Sequence, residues 1–540
     1  MPRIAIIGAG ACGLPCIRHA LLYDVEPVVF DLSDEVGGLW NFKANNTSES
    51  SVARNTIANT SKEAMAYSDF PPPAHFANFM HNTQLLEYYK LYAEHHGLAK
   101  YIRFRHKVHG VKRAESYAKD GKWLLTYENL KTGEIKEEEF DAVMLASGHH
   151  VKPFVPAWKG LNKFKGKLLH SQVYKDNRGF EDKTVVVVGI GNSACDIAVE
   201  LSHVSNKLKM VLWVHLSTRR GAWIYTRIQP GGQPYDLDLN SRYNDTLRNW
   251  FFSRCNKAIE ESFQKRFDHE AYGLKPNHGV FNCSPTVNDD IPYRVMCGRL
   301  KIQADVKEFK ENDVVFVDGT KIENVDCVVS ATGYNLDFEI LEQGKLVAAE
   351  GLELYLYMYP PELSNHNSLA FIGLVQTSGP IQLAAEMQAR LFLEAFAAKK
   401  LTLPSKEEMY QSIKEHKAMQ AGNVQSMRHI LEIEYCGHME ELAGIIGCKP
   451  NFLQLAFSDP ELAWKIFFGP RVSYSYRLNG AHVWKDARKA IMSVDERVQS
   501  GLNPKNPKLR GSCCLAFDAE TVIIMLAVAV FTAILFKMFF

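Results

Sequence analysis

The chain has 540 residues, more than a single hydrophobic core serves, so about three domains are expected. Hydrophobic residues make up 46%, charged ones 23% and aromatic ones 11%, an ordinary globular composition that excludes a disordered, collagen-like or multi-span membrane chain. Sixty-two Lys and Arg against 61 Asp and Glu give a net charge of +1, so no global field favours nucleic acid, and 11 cysteines without a CxxC pair or zinc-spaced Cys/His cluster indicate neither a disulfide framework nor a metal.

Residues 4–7 are an apolar run cut short by Gly8, too brief for a secretory signal and well suited to a buried strand. Gly8, Gly10 and Gly13 follow in a GxGxxG pattern, then a helical stretch to about Leu22 and a strand over 28–30 that ends at Asp31. This is a βαβ unit for a dinucleotide. Gly8 permits the tight turn, Gly10 lets the backbone approach a pyrophosphate, Gly13 lets helix and strand pack closely, and the helix N-terminus presents N–H donors to the anion. Asp31 suits a ribose hydroxyl. Pro15 lies near the helix start, where N–H groups lack intrahelical partners, so it breaks little. Residues 140–148 (FDAVMLASG) run acid, apolar strand, small residue and glycine, as a strand returning beside the nucleotide would. The prolines of 149–156 (HHVKPFVP) mark a crossover linker.

The fingerprint recurs at 184–194, where an apolar run leads into Gly189, Gly191, Asn192, Ser193 and Ala194, followed by a helix and a strand predicted over 210–214. That strand runs into Ser217, Thr218, Arg219 and Arg220, which offer no carboxylate to a ribose but do offer hydroxyls and guanidiniums to a 2′-phosphate. The first site therefore prefers FAD or NAD and the second NADP. A second echo at 325–334 (VDCVVSATGY) repeats the first, and the pair predicts an α/β chain with two Rossmann-like domains. The aromatic stretch containing Trp223, Tyr225, Trp250, Phe251 and Phe252 reads as core or membrane-facing surface. Near the C-terminus, sixteen uncharged residues at 521–536 and their tail span roughly 30 Å as a helix, a C-terminal transmembrane anchor over 519–540. The basic excess just upstream, including Lys485, Arg488, Lys489 and Arg497, keeps the preceding chain in the cytosol. Cys513 and Cys514 precede the anchor as idle thiols or acylation sites.

Residues 164–174 (FKGKLLHSQVY) fit FxGxxxHxxx(Y/F) and lie between the two fingerprints. Together with DEVGGLW at 34–40, NTSKE at 59–63, TVNDDIP at 286–292 and FIGLVQ at 371–376, they make the chain resemble the microsomal, tail-anchored flavin-containing monooxygenases of animals over essentially its whole length. Ser147 stands where that family often has Thr, and Asp31 where it usually has Glu. The resemblance implies FAD bound by 1–150 and 331–445, NADP by 151–215 and 291–330, a helical insertion at 216–290, a membrane-proximal region at 446–518 and the anchor at 519–540. It also implies an endoplasmic reticulum membrane protein with cytosol-facing catalytic domains. Its oligomeric state is open.

By the same resemblance, NADPH reduces the flavin, O₂ forms a C4a-hydroperoxide, and its distal oxygen passes to a soft nucleophile such as an amine or sulfide. Gly38, Leu39, Trp40, Thr60 and Gln376 join the FAD-binding residues. Asn59 matches the family's active-site asparagine, whose amide carries both a donor and an acceptor. His170 takes a gating role in the movement of the nucleotide. Gln376, ahead of a helical stretch over 381–392, sits at a helix N-terminus facing the flavin pyrimidine edge. Two other readings compete. One is ketone oxygenation of the Baeyer-Villiger type, whose motif more often ends in Trp where this chain has Tyr174; the other is a membrane-tethered nucleotide-binding sensor without turnover.

Overall fold

The computed structural model describes residues 1–44, 49–204, 214–349, 351–420 and 431–502. Arg3–Ile7 is the middle strand of a five-stranded parallel sheet, with Glu26–Asp31 and then Ile102–Phe104 on one side and Ala142–Leu145 and then Leu369–Phe371 on the other. A central parallel strand is covered on both faces, which is why 4–7 reads as an unbroken apolar run. Ile4 and Ile6 enter one core with residues of helices Gly13–Leu22 and Ile381–Phe396. Ala5 and Ile7 point the other way, into a core shared with Trp123, Leu125 and Phe140 of an antiparallel three-stranded sheet.

The second sheet repeats the plan. Val185–Val188 is central, flanked by Val214–Ser217 and then Leu300–Gln303, and on the other side by Cys327–Ser330 and then Lys167–His170, all parallel. In each sheet the strand of the glycine fingerprint lies directly beside the strand of its echo. The register pairs Ile4–Ile7 with 142–145 in one and Val185–Val188 with 327–330 in the other. The strand expected at 210–214 is found as Val214–Ser217, while 205–213 lie outside the described residues. Ser217 is thus a strand residue with its side chain buried, not in the open turn.

Between Val214–Ser217 and Leu300–Gln303 come the helices Tyr235–Leu239, Arg242–Trp250 and Phe252–Arg266. Helix Arg242–Trp250 is held to the later chain by buried ion pairs. Arg471 bonds Asp245 and lies 2.8 Å from Glu440, which also lies 3.0 Å from Arg242. A second buried network ties the first fingerprint helix to the C-terminal part. His19 Nε2 lies 3.2 Å from Glu386 Oε1, and Arg477 Nη2 donates to the same oxygen at 3.1 Å and lies 3.5 Å from Asp69. Burial pushes His19 down to about 4, so its ring is neutral. For Glu386, burial favours the acid form, but the His19 bond and the Arg477 charge outweigh it and hold the carboxylate at about 2. Among the described residues no helix is long and apolar enough to cross a membrane; the segment 519–540, with Cys513 and Cys514, lies outside them.

Candidate active site

Each fingerprint forms a cradle with a steric reason for its glycines. Gly8 has φ +106°, and a Cβ there would stand 2.5 Å from the Ala146 carbonyl oxygen of the neighbouring echo. Gly189 has φ +131° and would meet the Ala331 oxygen at 2.4 Å. Both turns are thus pressed against their echo strands at equivalent places. A Cβ on Gly13 would fall 1.9 Å from the Gly8 oxygen, whereas one on Gly10 would make looser contacts, at 3.4 Å with Gly38 Cα, 3.6 Å with Gly38 N and 3.9 Å with the Gly37 carbonyl carbon. Helix Gly13–Leu22 has no acid in its first turn and no side-chain cap, and the same holds for Asn192–His203, so each N-terminus remains available to an anion.

At the end of Glu26–Asp31, the Asp31 carboxylate accepts from Ala9 N at 2.6 Å and Ser33 N at 2.8 Å, which sets it across the mouth of the first cradle. Burial raises its pKa against those bonds. Gly38, Leu39 and Trp40 form a single helical turn, with Gly38 against Gly10 and Gly37 N donating to Ala9 O at 3.1 Å. The FIGLVQ segment also arrives here: a Cβ on Gly373 would meet Cys12 Sγ at 2.3 Å. Gln376 begins the short strand Gln376–Thr377 ahead of helix Ile381–Phe396, with its side chain near the imidazole of His149. His149, read from sequence only as linker, is thus a neighbour of a candidate cofactor residue. Asn59 and Thr60, half-buried, precede the buried Ser61, Lys62 and Glu63. Asn59 Oδ1 accepts from Arg227 Nη2 at 2.6 Å, and the same guanidinium reaches Asp289 Oδ2 at 2.9 Å. Neither Arg227 nor Asp289 was marked by residue-level reading, although the TVNDDIP match contains Asp289.

In the second cradle Asn192 Oδ1 accepts from Val287 N at 2.7 Å and Thr286 Oγ1 donates to Ile190 O at 3.0 Å, so the TVNDDIP segment braces the glycine turn. Ser193 is exposed and Ala194 is buried against Gly189. The phosphate-turn residues divide. Ser217 Oγ donates to Ala304 O at 2.6 Å and Thr218 Oγ1 accepts from Gly221 N at 3.0 Å, so both hydroxyls serve the fold. Arg219 is exposed and forms no ion pair among the described residues. His170 Nδ1 accepts from Gln172 N at 3.2 Å, which leaves Nε2–H to donate to Gly333 O at 3.0 Å. Burial lowers its pKa against that second bond, so a neutral ring pins the end of Lys167–His170 to the second echo turn. Tyr174 closes the same motif by donating to Glu200 Oε2 at 3.0 Å on helix Asn192–His203.

A cavity of about 730 Å³ lies beside Gln376–Thr377, walled by aromatic residues that include Tyr225, Tyr235, Phe252, Phe281 and Tyr435, with Ser378 at its edge. Tyr225 of this wall is two residues from Arg227, while neither Arg227 nor Asn59 lines the cavity.

The chain is similar to known proteins over nearly its whole length. The chain is 42% identical over 538 residues to flavin-containing monooxygenase 5 of Cavia porcellus, covering 99% of each chain. It is 39% identical over 522 residues to dimethylaniline monooxygenase [N-oxide-forming] 2 of Oryctolagus cuniculus, 95% of this chain and 96% of that one. Among solved structures, S-allyl-L-cysteine S-oxygenase from Allium sativum shares the fold with a TM-score of 0.62 at 21% identity, over 92% of this chain and 98% of that one. The model of the flavin-binding monooxygenase-like family matches residues 1–539, and the chain belongs to that family.

Proposed function

We propose that this chain is an NADPH- and O₂-dependent flavoprotein monooxygenase that oxygenates soft nitrogen and sulfur nucleophiles, with FAD in the first cradle and NADP in the second. The observation that carries the reading is the pair of matching cradles, each glycine turn pressed on its echo and each followed by a helix with no acid in its first turn. The names of the relatives agree, one an N-oxide-forming enzyme and another, at the level of fold, an S-oxygenase. When bound, FAD supplies the activated oxygen and NADPH the two electrons.

The chain's own residues bind, orient and exclude water. Gly8, Gly10, Gly13 and the helix behind them hold the FAD diphosphate, Asp31 the ribose, and Gly38, Leu39, Trp40 and Thr60 the approach to the flavin ring. Asn59 and Gln376 would offer amides to the ring's polar edges. Gly189, Gly191, Asn192, Ser193 and Ala194 hold the NADP diphosphate. Exposed Arg219 takes the 2′-phosphate at the turn shaped by Ser217 and Thr218, and His170 and Tyr174 hold the connection in place. The aromatic side chains of the 730 Å³ cavity, set among polar ones such as His416, Glu432 and His438, give an amine or thioether an apolar surface to pack on. Attachment to a cytosol-facing membrane, the endoplasmic reticulum by family likeness, would run through 519–540. The exposed Leu453 and Phe457, four residues apart on helix Phe452–Ser458 and 73% and 85% accessible, support a surface lying near lipid.

The test is purified full-length protein assayed for bound flavin, O₂-dependent NADPH oxidation, N-oxide from N,N-dimethylaniline and S-oxide from a thioether. A flavin-free protein that leaves NADPH untouched sinks the proposal in favour of a sensor. Ester formed from a ketone faster than S-oxide from a thioether sinks it in favour of ketone oxygenation.

A further inference from the structure

Arg227 occupies a position that neither the fingerprints nor the family motif explains. It lies just beyond the short strand Ile224–Tyr225, with its side chain only 12% exposed. Its backbone N donates to Asp289 Oδ1 at 2.9 Å, and its Nη1 donates to Asp289 Oδ2 at 2.9 Å. Thr226 Oγ1 adds a third bond to the same carboxylate at 2.7 Å. Burial pushes Asp289 up, but these bonds outweigh it and keep the group ionised. The remaining guanidinium edge turns to the first nucleotide domain: Nε donates to Ala58 O at 3.3 Å and Nη2 to Asn59 Oδ1 at 2.6 Å.

A guanidinium has donors and no acceptor. It can face only the oxygen of an amide, so the flip of the Asn59 side chain follows from chemistry. Among the described residues Asn59 Nδ2 donates to nothing, so the two N–H bonds of that amide are its free polar capacity. We infer that Arg227, anchored by Asp289, is a positioning residue that locks the Asn59 amide with its oxygen spent, so that Asn59 meets the flavin as a hydrogen-bond donor alone. This narrows the sequence reading of Asn59 as donor and acceptor, and it rests on the proposal that Asn59 faces the flavin. A fixed donor is already aimed when negative charge develops on an oxygen in front of it, whereas a free amide presents either end.

The test uses the FAD-loaded full chain with Arg227→Met, Arg227→Lys, Asn59→Leu and the double variant Arg227→Met/Asn59→Leu. Two quantities are read: the visible absorption spectrum of the bound flavin, and N-oxide formed per NADPH consumed with N,N-dimethylaniline. Arg227→Met and Asn59→Leu should displace the spectrum in the same direction and each lower product per NADPH about tenfold, on the scale of one charge-assisted hydrogen bond. The double variant should be no worse than either single one. Arg227→Lys should fall between, because an ammonium keeps the charge but lacks the planar fork that serves Ala58 O, Asn59 and Asp289 through three separate nitrogens. Additive losses in the double variant, or an unchanged spectrum in both Arg227 variants, would overturn the inference. Should Arg227→Met not fold, Arg227→Lys decides alone, an intermediate spectrum supporting the inference and an unchanged one defeating it. Unsubstituted protein that binds FAD and makes no N-oxide would defeat the functional proposal, and the spectral comparison would still decide the link between Arg227 and Asn59.

Discussion

Gly10 and Gly13 stand three residues apart in one turn, and alanine at the two positions should fail in different ways. At Gly13 the new Cβ lands 1.9 Å from the Gly8 oxygen and 2.8 Å from the Gly8 carbonyl carbon, both backbone atoms of the same turn. Nothing there can rotate away, so strand and helix must separate, at a cost of about 2–3 kcal/mol for overpacking. In a domain of this size that is a fall in melting temperature on the order of 5–10 °C, present in the protein without FAD. At Gly10 the Cβ meets Gly38 Cα at 3.4 Å, an ordinary contact, at a backbone angle that any residue can adopt. Gly10→Ala should therefore melt within about 1 °C of the unsubstituted apoprotein, since surface-type changes cost little. Its Cβ instead enters the space of the diphosphate and should weaken FAD binding by at least about tenfold, or 1.4 kcal/mol. Thermal unfolding of the apoproteins and a flavin fluorescence titration measure the two effects. If Gly10→Ala destabilises the apoprotein as much as Gly13→Ala, or binds FAD with unchanged affinity, the account of the first cradle is wrong.

Arg477→Met removes the cation between Glu386 and Asp69 and should cost about 3–5 kcal/mol in chemical denaturation, because two buried carboxylates lose their partner; a loss under about 1 kcal/mol contradicts the role assigned to that network. His215 is buried on the second sheet, its Nδ1 3.0 Å from Gln303 Nε2, and burial pushes its pKa down to about 4. Its folded pKa lies below its unfolded one, so its contribution is complete above about pH 6.5 and is lost as pH falls toward 4. His215→Gln should then flatten the decline in stability between pH 6 and 4.5 by up to about 1.4 kcal/mol per pH unit, and parallel stability curves for the two proteins would rule this out. Tyr174→Phe takes a donor from Glu200, which keeps the Asn55 Nδ2 bond at 2.7 Å. The expected loss is about 1–2 kcal/mol with FAD still bound, and release of FAD at that stability would show the motif acting on the first cradle instead.

What could be read from the sequence follows a physical pattern. The runs 4–7 and 185–188 announce themselves because a strand covered on both faces has no polar position to interrupt it. Gly8 and Gly189 are legible because only glycine tolerates their backbone angles, yet the second reason, the echo carbonyls of Ala146 and Ala331, appears only in space. The strand placed at 210–214 shows the limit. Its continuation Val214–Ser217 carries a histidine and a serine, and they are tolerated because Gln303 and Ala304 O, some 90 residues later, satisfy them. Arg227 was invisible for the same reason: a lone arginine acquires meaning only when Asn59 and Asp289, distant in sequence, close around it.

The two sheets are nested along the chain, and nesting sets a timetable. Every strand of the second sheet lies between Lys167 and Ser330, so it can close as soon as that stretch has left the ribosome. The first sheet begins earlier but receives its outer strand, Leu369–Phe371, only after the whole of the second has been made. At ordinary synthesis rates that is a delay of roughly ten to forty seconds. Until then Ala142–Leu145 shows an unpaired edge of apolar backbone. The portion translated first is therefore the portion finished last, and the nascent protein is most exposed to mispairing while its earliest strands wait for that outer one.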